Sequence, residues 1–233
     1  MRLKLSAFAV LTAVALVVTA IAIGASNGPS QSKNAMSPTS HMAHMRSAAA
    51  STTAGDLRVT LDKLLGEHAA LAMNATNAGV KGSKTFPAAA KALDRNSVEL
   101  SKTIASVYGA KAGNTFLNGK FMWRAHISFF VDYTVAVAKK DRAGQAKAVA
   151  NLKTYTVRFG NFLATATGLP KAAVRNDLLG HVIELKSQLD AYGAGNYTTA
   201  AARYHSAYNH MFMTGDLLAG AIAKQYPGRF PTK

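Results

Sequence analysis

Three histidines, His68, His126 and His181, each interrupt an apolar stripe of helical period, and they recur 58 and then 55 residues apart. The surrounding phrases are alike in character: "LLGEHAALAMNAT", "MWRAHISFFVDYT" and "LLGHVIELKSQLDA". A histidine on a core-facing position needs partners for its ring nitrogens. Three of them at a repeat period predict a shared polar centre inside a helical bundle.

Spacing of apolar residues by threes and fours marks six helical stretches. The first covers about Asp56 to Asn77 and ends at Gly79 and Gly82. A second begins near Pro87, a residue suited to a first helical turn, and ends at Tyr108-Gly109. The third aligns Phe116, Trp123, His126, Phe130, Tyr133 and Val137 and breaks at "KKDRAG". The fourth runs through Leu152, Tyr155 and Phe159 to "TGLP", and the fifth through Val174, Leu178, His181 and Leu185 to "GAGN". A sixth spans about Tyr197 to Lys224, with Pro227 and Pro231 beyond it. No stretch alternates as a strand does, so the expected class is all-α. The short connections predict an up-down bundle of six helices. Its helices pair one–two, three–four and five–six as three degenerate hairpins, with a histidine in the first helix of each pair.

The rest of the chain reads as accessory to that bundle at 56–226. Arg2 and Lys4 precede a nearly unbroken apolar run from Leu5 to Ile23. That is the layout of a signal peptide over residues 1–25, or of an uncleaved N-terminal anchor. Residues 26–55 are rich in Ser, Ala, Thr, Pro, Met and His and read as a flexible tether. Residues 227–233 form a short C-terminal tail. The expected location is therefore secreted or associated with the cell envelope. Without any cysteine, disulfides and thiolate metal sites are excluded.

The formal charge of +16 predicts adhesion to anionic cell-wall polymer or lipid head groups. Nucleic acid is not expected as a partner, because the chain is read as exported and carries no nucleic-acid-binding motif. Scattered basic residues are also the ordinary solvated surface of a soluble protein.

Metal ligation is the chemistry the histidines suggest, since a neutral imidazole nitrogen is a common ligand. The alternative is that each ring bonds a separate buried group such as Tyr133, Tyr155, Asn96 or Ser97. On the sixth helix, "HSAYNHMFM" places His210 and Met213 three apart, off the main apolar stripe, and so adds them as candidate ligands. Met211 lies on that stripe and reads as packing. The tether repeats the mixture in "SHMAHM", with His41, Met42, His44 and Met45 as a capture tract. Imidazole with thioether favours copper over magnesium or calcium. Asp132 could orient a ligand histidine. Haem with histidine and methionine axial ligands fits less well, and the absence of CxxCH would require noncovalent binding.

Enzymatic readings have little support. The Glu-x-x-His pairs of di-iron bundles are missing, as are HExxH, GxSxG and a phosphate-cradling glycine loop. Function as sequestration or delivery of a metal is expected, against a metal-free structural or interaction module of the envelope.

The phrases "LRVTLDKLLGEHAALA", "WRAHISFFVDYTVAVAKKD", "LLGHVIELKSQLDA" and "AYNHMFMTGDLLAGAIAKQYP" resemble a family of secreted bacterial helical proteins, often labelled copper amine oxidase-like. The resemblance spans about Leu57 to Pro227 and implies an all-α envelope protein. It does not imply amine oxidation. The Asn-Tyr-Asp/Glu motif of a quinone cofactor has no counterpart, "GNYTT" and "VDYTV" being the nearest strings.

Overall fold

The computed structural model describes residues 53–231, and every regular element among them is an α-helix. The order is α1 (Ala54–Val80), α2 (Phe86–Tyr108), α3 (Ala110–Asn118), α4 (Trp123–Ala138), α5 (Arg142–Thr167), α6 (Lys171–Gly193) and α7 (Tyr197–Gln225). Six are long and correspond to the six periodic stretches. None of them is long and apolar enough to cross a membrane.

Local chemistry sets the ends. Thr53 and Asp56 form a reciprocal capping box at the start of α1. The Asp141 carboxylate accepts from the Gly144 N–H at the start of α5, and the Asn196 side chain does the same for Thr199 in α7. Gly168 closes α5 in the left-handed region, with Pro170 two residues on. Residues 226–231, after α7, are docked rather than trailing. Phe230 is buried, and the Ala54 N–H donates to the Pro231 carbonyl at 3.0 Å.

The short helix α3 corrects the expected third stretch. Phe116 lies on α3, and the chain turns between Gly119 and Met122 before α4 starts at Trp123. Phe121 adopts a φ of 59° in that turn, a region unfavourable to a bulky residue. Its ring packs against Phe129 and the core, which offsets that strain.

Helix directions follow from which residues meet. His68 faces His126 at a sequence separation of 58, and Tyr133 meets Asp190 at 57. Near the other end of α1, Asn77 meets Gln188 of α6 at a separation of 111, while His68 also lies beside His181. Contacts that keep a nearly constant offset belong to parallel helices, so α1, α4 and α6 run the same way and in register. By contrast, Asp62 lies against Gly215 and Gly66 against Phe212, so α7 runs antiparallel to α1. The three histidine-bearing helices touch one another pairwise. Helix α7 covers the seam between α1 and α6, α5 covers that between α4 and α6, and α2 with α3 packs beside α1 and α4. The fold is therefore an inner triangle of parallel helices, each paired with an antiparallel partner.

Candidate metal centre

The parallel register of α1, α4 and α6 brings His68, His126 and His181 to one height on the bundle axis. All three rings are buried, at 1%, 1% and 3% exposure. Each offers one ligand nitrogen, and these atoms all lie within 4.8 Å of one another. The Nε2 atoms of His68 and His126 are 3.4 Å apart. At metal–nitrogen distances of about 2.0–2.1 Å, tetrahedral ligands are separated by about 3.4 Å, so that pair already has the spacing of two ligands on one ion. These three histidines could hold a metal ion.

Aromatic rings hold the imidazoles in place. Trp123 lies 4.7 Å from the His68 ring centroid and 4.8 Å from that of His126. Tyr155 stacks on His126 at 4.7 Å. The Trp123 Nε1–H is itself anchored, donating to the Ser97 hydroxyl, which donates in turn to the Leu93 carbonyl. The rings are thus clamped by groups that do not compete for their nitrogens.

That point overturns the reading in which each imidazole bonds its own buried hydroxyl or amide. Tyr133 donates to Asp190, and Asn96 donates to the Leu64 carbonyl and Glu67. Four ring nitrogens have no hydrogen-bond partner: Nδ1 of His68, Nδ1 of His126, and both nitrogens of His181. A buried polar atom without a partner costs about 1–3 kcal/mol. Four of them approach the whole stability of a domain, about 5–15 kcal/mol. Such a centre is explained if the nitrogens serve a ligand.

Burial also fixes their charge state. It pushes the His126 imidazolium down to about 3, with the neighbouring His181 adding to the effect. His68 and His181 are likewise held well below the ordinary histidine range, first by burial and then by neighbouring histidines. All three are neutral near pH 7, the form a metal requires.

His210 and Met213 do not belong to this group. His210 lies one layer out, 6.4 Å from the His181 ring centroid. Its Nδ1 is bonded to Glu184 at 2.9 Å and its Nε2 to Asp177 at 3.2 Å. Asp177 chiefly, and Glu184 with it, raise the His210 pKa against the opposing effect of burial. Both nitrogens are thus committed as donors to carboxylates, and a protonated ring is no ligand. Met213 is 62% exposed on the outer face of α7. Asp132 is also exposed, and the acceptors that orient a histidine in this fold are Asp177 and Glu184. His41, Met42, His44 and Met45 lie outside the described residues.

Two cavities flank the centre. A small one of about 40 Å³ is bordered by His68 and His126, and a larger one of about 270 Å³ by His181, Trp123 and Tyr155.

No family model matches the sequence, and neither a curated protein nor a solved structure does.

Proposed function

We propose that the protein is an exported, envelope-associated copper-binding protein, acting in sequestration or delivery rather than catalysis. His68, His126 and His181 hold the ion. The observation that carries this reading is the set of unpartnered, neutral imidazole nitrogens buried at one point. A metal-free envelope module would leave the cost of those nitrogens uncompensated.

Copper is favoured over zinc and iron by charge. The centre contains no carboxylate or thiolate, so the protein supplies no anionic ligand. Desolvation cost rises steeply with ionic charge, which favours monovalent Cu(I) over a divalent ion. Imidazole suits copper, and the tract His41, Met42, His44, Met45 offers a mixed imidazole and thioether arm for capture. Residues 1–25, with their basic start and apolar run, support export.

The test is a Cu(I) titration against a chromogenic chelator, using protein purified without an added histidine tag. One equivalent should bind, and His126→Ala should weaken binding at least tenfold. Unchanged affinity in that variant would overturn the assignment.

A further inference from the structure

The 270 Å³ cavity beside the triad is a second feature of the core, separate from metal ligation. An engineered apolar cavity of about 150 Å³ accepts benzene. On that scale this one has room for about eleven non-hydrogen atoms. Its lining contains no lysine, arginine, aspartate or glutamate. The polar lining groups are mostly committed elsewhere. The Tyr108 hydroxyl donates to Gln225, the Trp123 Nε1–H to Ser97, and the Thr167 and Thr214 hydroxyls to Leu163 and Asp177. Among the described residues two bring polar atoms without a hydrogen bond to the wall: His181, buried at 3% exposure, and Tyr155, whose hydroxyl has no partner.

The lining also has a direction. Four of its residues are half-buried, namely Tyr108, Ala112, Phe162 and Ala166, and the others are buried. These four lie where the C-terminal part of α5 faces the junction of α2 and α3. They form the partly exposed rim of the cavity, with His181 among the buried residues inside.

We infer that this cavity is a binding site for a neutral, apolar small molecule of about two fused rings, carrying no more than one hydrogen-bonding group. An anionic head would find no cation in the lining, and a cationic head no carboxylate. The site does not need the metal, because its walls come mainly from leucine, phenylalanine and other apolar side chains.

Calorimetry with 2-naphthol and 2-naphthoate tests this, on copper-loaded protein and after chelator treatment. Expected is one-to-one binding of 2-naphthol in both samples, with 2-naphthoate at least tenfold weaker. Ala166→Phe and Ala112→Phe fill the rim from two different helices and should each weaken 2-naphthol at least tenfold. Both positions are half-buried, so at least one variant should retain the native circular dichroism and melting behaviour. Absent binding, equal binding of the anion, or full affinity in a folded rim variant would each overturn the site. Loss of binding on chelation would place the ligand on the metal and overturn it equally. Because the chelated sample is measured by itself, failure of the copper assignment leaves this result readable.

Discussion

The Nε2 atoms of His68 and His126 face each other across 3.4 Å in a core closed to solvent. At that distance two neutral rings can share one proton, leaving the Nδ1 atom of each without a partner. His181 completes the group without any hydrogen bond to offset its burial. The arrangement is poor as a hydrogen-bond network and good as a ligand set. That contrast generates most of the behaviour expected of the protein.

Metal binding should stabilise the fold strongly. A ligand held only by the native state adds about 4 kcal/mol at a thousandfold excess over its Kd. For a folded region of this size that corresponds to roughly 10 °C in Tm. Calorimetric melting with and without one equivalent of Cu(I) measures the shift. His126→Ala should reduce it to near zero, and a shift preserved in that variant would place the ion elsewhere.

The metal-free protein should be labile to acid. Unfolded histidines protonate near 6.5, whereas the folded triad resists protonation, His126 down to about 3. Below pH 6.5 the unfolded state therefore binds more protons, and stability falls with pH until the folded rings titrate. The slope is roughly 1 kcal/mol per pH unit for each imidazole. Urea midpoints of chelator-treated protein at pH 7.5, 5.5 and 4.5 should fall in that order. A flat series would mean that the rings are hydrated and free to protonate in the native state.

Replacing a ligand by a hydrocarbon should separate stability from binding. His181→Leu removes two unpartnered buried nitrogens at similar side-chain size. Metal-free protein should gain about 2–6 kcal/mol, at about 1–3 for each nitrogen, lose part of the acid dependence, and bind copper at least tenfold more weakly. Chemical denaturation of the chelated variant checks the gain. A loss of stability would show that His181 has a partner in the metal-free core.

How much of this was legible beforehand depends on which side chains carry the signal. The six long helices follow from apolar spacing, and the repeat interval singles out His68, His126 and His181. That the three meet depends on α1, α4 and α6 running parallel, which periodicity within each helix does not fix. Helix α3 was hidden. Phe116 and Trp123 are seven residues apart, two helical turns, so the apolar phase runs unbroken across the break at Gly119–Met122 that contains Phe121. The place of His210 is not legible in the sequence for another reason. Its spacing to Met213 on α7 suggested a shared ligand face, but its state is set by Asp177 and Glu184 on α6. Periodicity within one helix carries no information about charges on its neighbour.

His210 should behave oppositely to the triad. Its folded pKa is raised by Asp177 first, so its contribution is fully present below the unfolded value of 6.5 and is lost as pH rises through the folded value. His210→Ala should destabilise the protein at pH 5.5 more than at pH 8.5, while copper affinity changes by less than about threefold. Equal destabilisation at both values would show that the Asp177 and Glu184 bonds do not depend on ring charge.

Close approach of α7 to α1 gives a packing test remote from all of these rings. A Cβ added at Gly215 would lie 3.1 Å from the Asp62 backbone nitrogen and 3.2 Å from its Cα. Backbone atoms inside a helix cannot move aside as a side-chain tip can. Alanine is the better helix former by about 1 kcal/mol, so propensity alone predicts that Gly215→Ala stabilises. Overpacking of a tight contact costs about 1–3 kcal/mol, and here it should prevail, because α1 and α7 share a long interface around Asp62, Gly66 and Phe212. Net destabilisation of about 1–2 kcal/mol is expected by urea denaturation. Gly220→Ala serves as the reference, since nothing lies near its added Cβ, and it should be neutral or stabilising. If the two variants gain stability alike, the helices are not packed this closely.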